Sequence, residues 1–252
     1  MPARPPSPLR AAAGWLALFA ALTLGFWMAF SSLHYPWNGD AVWAYRQKFV
    51  TGWLVTVAIS LAALLGSVVL GTGAALARRS PFLIVRQAAT LYVEAIRGTP
   101  LLVQILLLYY IVGDALGIEN RYAAGIVILA LFGGAYLAEI VRAGIEGVGA
   151  SQWESARAVG LTPAQTYRYV VAPQALRQML PPLAGQFASL IKDSSLLSVI
   201  AVDELTKNAR EVNAFTYATL ESYLPLALGY LVLTLPLSLW TRRLEERFRY
   251  ET

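Results

Sequence analysis

At 252 residues the chain has the length of one or two soluble domains. Its hydrophobic content of 57% and charged content of 14% exclude a surface wholly covered by water, because soluble domains run at roughly 45–50% and about 25%. The net charge of +5 comes from basic residues lying between apolar runs, not gathered on one polar face, which argues against a nucleic-acid partner, and the absence of cysteine excludes thiol chemistry and thiolate metal sites.

Crossing a hydrocarbon layer of roughly 30 Å takes about 20 apolar residues in a helix, since lipid offers the backbone no hydrogen-bond partners. Six stretches meet or approach that requirement, which predicts an all-α polytopic membrane protein. The first lies between Arg10 and Asp40, and the second runs from Phe49 to Ala77 without a charge. The third, Gly98 to Gly113, is expected to continue a helix that begins near Leu91. Tyr122 to Ala138 is the fourth, Pro182 to Val202 the fifth, interrupted by Lys192 and Asp193, and Ser222 to Thr241 the sixth. The first stretch also reads as a secretory signal peptide with Ala29-Phe30-Ser31 as its cleavage site. Its apolar run of about 20 residues is longer than the usual 7–15 and favours a retained helix.

Lys and Arg accumulate on the cytoplasmic side of such segments. Fourteen of the twenty precede the first stretch, lie between the second and third or between the fourth and fifth, or come after the sixth; five lie in the alternate connections. Both termini are therefore expected in the cytoplasm. Trp37, Trp43, Tyr45 and Trp53 suit an interfacial aromatic belt, and His34, the single histidine, is expected at a boundary and not as a ligand.

The longest internal polar stretch, 144–182, lies between the fourth and fifth segments. Ser151-Gln152-Trp153-Glu154 has the form of a capping box, and a short helix from there would end at Gly160 in the left-handed conformation. Thr162-Pro163-Ala164-Gln165 starts a second helix, which Pro173 is expected to interrupt. These elements form a compact helix–turn–helix on the cytoplasmic face, able to be pushed as one body.

Glu154-Ser155-Ala156-Arg157-Ala158-Val159-Gly160, followed after nine residues by Val170-Val171-Ala172-Pro173, resembles the EAA loop of binding-protein-dependent ABC importer permeases, E-A-A-x-x-x-G-x9-I-x-L-P. Ser155, Val170 and Ala172 depart from that pattern; the glutamate, glycine, proline and spacings match. Glu94 to Gln104, Ala138 to Ile145 and Lys192 to Leu196 are similar to segments of the polar amino-acid branch. The resemblance implies a type I importer core of five helices, here with an extra N-terminal helix. Its expected divisions are 1–48 for that helix and an external loop, 49–241 for the permease domain with its EAA loop at 144–182, and 242–252 for a cytoplasmic tail. It also implies a bacterial inner-membrane subunit that moves a polar or charged amino acid by alternating access. The implied partners are two ATPase subunits that bind ATP and Mg, a second permease chain of the same or a related kind, and an extracytoplasmic solute-binding protein. Glu154, Ser155, Ala156, Gly160 and Pro173 would carry the ATPase contact, although Glu154 can equally cap its own helix.

Charges within spans are costly and usually functional. Lys192 lies about ten residues beyond Pro182, roughly 15 Å along a helix, and together with Asp193 and Ser194 either lines a solute path or fixes packing through buried pairs. Glu139 and Gln104 are further path candidates. Glu94 with Arg97 and Glu139 with Arg142 are spaced i to i+3 and suit structural ion pairs. Ala62/Gly66 and Ala63/Ser67 suit close helix packing. The sequence has no P-loop, no H-E-x-x-H and no G-x-S-x-G, so an enzyme with its own ATPase, metal or hydrolytic site is not expected. The other reading is a self-sufficient channel or secondary carrier. That class usually shows an internal repeat, and none is visible here.

Overall fold

The computed structural model describes residues 8–31 and 35–248. His34 and Arg249 lie outside them. Two compact units are present, residues 1–38 and 39–252. The first contains α1 (Pro8–Ser31), whose apolar run Ala12–Met28 is shorter than a full span. In the second, α2 (Gly39–Ala44), α3 (Arg46–Ala77), α4 (Leu83–Arg97), α5 (Leu101–Leu107) and α6 (Arg121–Glu146) are followed by α7 (Ala150–Ala158), α8 (Pro163–Thr166) and α9 (Ala172–Asp193), and then by α10 (Leu205–Thr216) and α11 (Thr219–Phe248). Among the described residues three helices are long and apolar enough to cross a bilayer, α3, α6 and α11. A fourth crossing is added if α4 and the segment from Leu101 to Gly113 count as one bent span.

Helices α3 and α6 run parallel in tight contact. Residues of α3 in small-residue spacing, Ser60, Ala63, Ser67 and Gly71, are all buried, and Gly66, Ser67 and Gly71 meet Ala130, Gly133, Gly134 and Leu137 of α6. Of the expected close-packing pairs Ala62/Gly66 and Ala63/Ser67, Gly66 and Ser67 lie in this seam. A Cβ built on Gly71 would stand 2.5 Å from Leu137 Cβ and 2.7 Å from the Gly134 carbonyl. The two backbones therefore approach as only small residues allow. Ser67 Oγ donates to the Ala130 carbonyl at 3.3 Å across the seam. Asn120 starts α6 by accepting the Tyr122 and Ala123 amides. The apolar core forms where α3, α5, α6 and α9 meet, around Ile59, Ile105, Leu129, Phe132, Leu190 and Leu197. Helix α11 packs on α9 with no buried residue in its apolar window. Trp53 Nε1 pins it to α3 by donating to the Gly229 carbonyl at 3.2 Å.

Two expected spans differ in form. The third is not one continuous helix, for α4 and the segment beginning at α5 meet at 111°. Pro100 supplies no amide hydrogen and disfavours helical backbone in the residue before it, so α4 ends at Arg97. Gln104 closes the corner: its Nε2 donates to the carbonyls of Ile96 and Thr99 and to Thr99 Oγ1 at 2.7–3.1 Å, satisfying acceptors that the break leaves open. Beyond α5 the chain widens into a π-helical turn, Leu108–Gly113. The fifth stretch is likewise divided. Helix α9 begins ten residues earlier than expected and stops at Asp193, and a 3₁₀ turn, Ser194–Ile200, comes next and ends with Ala201 in the left-handed conformation.

Replacing Gly71 by Ala is expected to lower stability by about 1–3 kcal/mol through overpacking of the seam. Gly73→Ala, two residues further on in open space, is expected to be neutral or slightly stabilising. Thermal unfolding of the detergent-solubilised variants measures the difference.

Candidate functional site

The polar stretch 144–182 folds as a connected set of short helical elements. Helix α7 begins at Ala150 after Gly149, and its cap makes no side-chain hydrogen bond. The expected Ser151/Glu154 capping box is therefore absent, because the helix starts one residue before the serine and takes Ser151 into its first turn. Its C-terminus matches expectation. Gly160 has φ +81°, and the Leu161 and Gly160 amides donate back to the Ala156 and Arg157 carbonyls at 3.1 and 3.0 Å, the Schellman arrangement. Thr162 and Gln165 then form the capping box at the start of α8, with bonds of 3.3 and 2.9 Å. Pro173 does not break the chain's helical course. Its ring crowds the carbonyl four residues back, and the backbone opens into a π-turn, Tyr167–Val171, before continuing as α9.

Ala156 is buried, whereas Glu154, Ser155, Gly160 and Pro173 are exposed. The inner side of the loop packs Val148, Val171, Ala175 and Met179 against Ile140, Ile145 and Trp153, so the loop is an extension of α6 and α9 whose outward face mixes Glu154 and Ser155 with exposed Val159 and Tyr169. Trp153 of α7 stands edge-on to Tyr167, with centroids 5.0 Å apart. The Tyr167 hydroxyl accepts from Arg79 at 2.8 Å. A displacement of α7 thus has a direct route to the end of α3.

Beside the loop, the ends of α3, α4 and α6 are joined through Glu139, whose side chain is 17% exposed. It accepts from Arg78, lies 3.4 Å from Arg97, and is held by Arg142 at 2.9 Å. Arg142 also reaches Glu146 at 2.5 Å, and Arg78 approaches Glu94 at 3.9 Å. Three guanidinium groups face three carboxylates. The expected Glu139–Arg142 pair is present. The expected Glu94–Arg97 pair is replaced, since each partner turns toward another helix: Arg97 goes to α6 and Glu94 to α3. Both Glu139 oxygens are engaged, although the residue lines a cleft of about 490 Å³ with Arg97, Tyr136, Gln178, Pro182 and Gln186.

The other solute-path candidates lie apart from it. Lys192 is exposed and Asp193 half-buried at the end of α9, and neither makes an ion pair with another helix among the described residues. Ser194 is fully buried and donates to the Ile191 carbonyl. Gln104 holds the α4–α5 corner. Ser194 and Gln104 fix backbone geometry.

One network has no motif of its own in the sequence. At the far ends of α3 and α6, Lys48 pairs with Glu211 at 2.7 Å, Glu211 with Lys207 at 3.7 Å, Lys207 with Asp203, and Asp203 with Arg121 at 3.0 Å. Tyr122 also donates to Asp203 at 2.7 Å. The spacing 203, 207, 211 is readable as i, i+4 pairing along α10, but nothing local points to Arg121 or Lys48. Partial burial pushes Asp203 up, and the bonds and charges of Lys207, Tyr122 and Arg121 outweigh it, leaving the carboxyl below its ordinary value. The hydrogen bond from Lys48 lowers Glu211.

The structure is thus a bundle of apolar helices with a loop of short helices projecting from its ion-paired ends, the architecture of a membrane permease. The chain belongs to the binding-protein-dependent transport system inner membrane component family, whose model matches residues 67–250. It is 37% identical over 219 residues to the glutamine transport system permease protein GlnP of Escherichia coli strain K12, across 86% of this chain and 99% of that protein. It is 38% identical over 201 residues to the probable glutamine ABC transporter permease protein GlnM of Bacillus subtilis strain 168, across 80% and 93%. Among solved structures, an amino acid ABC transporter with histidines matches with a TM-score of 0.79 and 36% identity, covering 84% of this chain and all of that one. The protein is thus an inner-membrane permease subunit of an ABC importer, a transporter component that is not itself an enzyme and that works with ATPase and binding-protein partners.

Glu139→Gln is expected to lower stability by about 3 kcal/mol, because it leaves three partly desolvated arginines without their shared counter-charge. Glu94→Gln, at a group 63% exposed, is expected to cost less than about 1 kcal/mol. Thermal unfolding separates the two. The far network gives a pH dependence. Asp203 and Glu211 are depressed in the folded state, so their contribution is fully present above the unfolded carboxylate value of about 4 and is lost as pH falls through the folded values. The unfolding temperature is expected to drop on acidification below about pH 4, and Asp203→Asn with Glu211→Gln is expected to flatten that drop.

Proposed function

We propose that this subunit carries a polar amino acid inward by alternating access, driven through α7 by two ATPase subunits that bind ATP and Mg. The observation that supports this most is the construction of α7. A nine-residue helix, stopped by a left-handed glycine, exposes Glu154 and Ser155 while Ala156 and Trp153 anchor it to the ends of the membrane helices. A docked partner that moves this helix moves α6 and α9 through their shared apolar contacts, and α3 through Tyr167 and Arg79.

In the orientation we infer, the loop and the Glu139 cluster face the cytoplasm, and the Lys48–Arg121 network faces outward. The parallel run of α3 and α6 supports this, since it gathers Arg78, Arg79, Arg97 and Arg142 at one end, in accord with the excess of positive charge on cytoplasmic sides. From the distribution of Lys and Arg along the sequence we infer that both termini are cytoplasmic. The amino-acid solute is inferred from the glutamine permeases and the amino acid transporter to which the chain is similar. A second permease chain completes the channel, and an extracytoplasmic binding protein delivers the solute. Lys192, exposed at the end of α9, is the residue we assign to the path between the two chains.

The test uses the permease assembled with its ATPase subunits in liposomes. Glu154→Lys is expected to reduce ATP-driven uptake at least tenfold and to weaken ATPase association, with the thermal stability of the permease unchanged. Wild-type uptake by that variant would refute the coupling role. Solute movement by the permease alone, without ATPase subunits, would favour a self-sufficient carrier.

A further inference from the structure

Helix α4 carries two exposed strips side by side. At about 100° per residue, Arg86, Gln87, Thr90 and Glu94 fall on one and Ile84 and Leu91 on the next. Ile84 is 81% exposed and Leu91 71%. The helix has 15 residues, too few to cross a bilayer, and the 111° bend turns it away from the segment that enters the bundle. A short amphipathic element of this kind suits the plane of the membrane boundary.

Along the polar strip opens a cleft of about 610 Å³, lined also by Arg78, Arg79, Arg142 and Glu146. Its charges are unequally used. Glu94 and Glu146 are matched with Arg78 and Arg142. Among the described residues, Arg86 has no carboxylate at ion-pair distance, and Arg79 is bonded to the neutral Tyr167 hydroxyl. Two guanidinium groups therefore stand uncompensated in a concave site, next to an apolar strip that a water-soluble anion would leave uncovered.

We propose that this cleft binds one anionic phospholipid, its phosphate between Arg79 and Arg86 and an acyl chain along Ile84 and Leu91. Guanidinium groups bind phosphate through paired, charge-assisted hydrogen bonds, and basic clefts between helices at the cytoplasmic boundary suit such headgroups. The lipid ties α4 to the end of α3, beside the Tyr167 contact of the loop. This inference rests on the membrane orientation proposed above and stands whether or not α7 couples to an ATPase.

Lipid association is measured on the permease with its ATPase subunits, using spin-labelled phosphatidylglycerol and phosphatidylcholine as probes. The wild type is expected to prefer phosphatidylglycerol. Arg86→Gln is expected to weaken that preference about tenfold, the scale of one charge-assisted contact, with an unchanged unfolding temperature, since Arg86 has no ion pair to lose. Arg243→Gln, which removes an exposed cation at the end of α11, is expected to retain the preference, and inorganic phosphate equimolar with the lipid is expected not to displace it. Three results would overturn the proposal: equal retention of the two lipids, equal losses in both variants, which would indicate general surface attraction, or displacement by phosphate alone, which would indicate a site for a free anion.

Discussion

The close approach of α3 and α6 is the constraint on which the rest of the molecule depends. Between Gly66 and Gly71 on one helix and Ala130 and Gly134 on the other there is no room for a larger side chain. Lipid tails are as apolar as leucine, so helices in a bilayer associate through packing and hydrogen bonding and not through expulsion of water. A seam of small residues maximises that packing. Because the helices run parallel, the seam also fixes which ends lie together. It brings Arg78 to Glu139 at one end, and at the other it holds Lys48 and Arg121 within reach of a single acidic chain on and before α10.

The two charged ends are built differently. Around Glu139, three arginines from three helices converge on one carboxylate, so loss of that single group removes the counter-charge they share and leaves Arg97 with no carboxylate among the described residues. At the opposite end the charges alternate in a line, each acid shared between two bases. A convergent cluster resists the separation of its helices, while a linear chain can exchange partners one at a time. In the orientation we infer, the first sits beside the element that receives force and the second faces the medium from which solute arrives.

Much of this is legible in the residues. The apolar stretches, the small-residue stripe on α3, the left-handed end at Gly160 and the Thr162/Gln165 cap all arise from local chemistry, and the loop motif leads to the family. The features that escape a sequence reading are consequences of tertiary contact. Hydropathy alone joins residues 91–113 into one helix, because a window average does not register the lost amide of Pro100 or the corner that Gln104 holds together. Spacing i to i+3 makes Glu94 and Arg97 neighbours, yet each finds its partner on another helix. The serine at 151 and glutamate at 154 fit a cap by pattern, but the backbone enters the helix at Ala150. Proline at 173 suggests a stop, whereas a widened turn carries the helix past it.

That widened turn constrains the chain's length in an unobvious way. Each added residue turns a helix by about 100°, and the Tyr167–Val171 turn absorbs one residue more than a regular turn would. Its presence sets the azimuth of Ala175 and Met179, which must look inward at Ile140 and Ile145, relative to Tyr167, which must look toward Arg79. Deleting a single residue here would shorten the segment by little but swing the two halves out of phase. An insertion or deletion in this part of the protein is therefore constrained by rotation more than by reach.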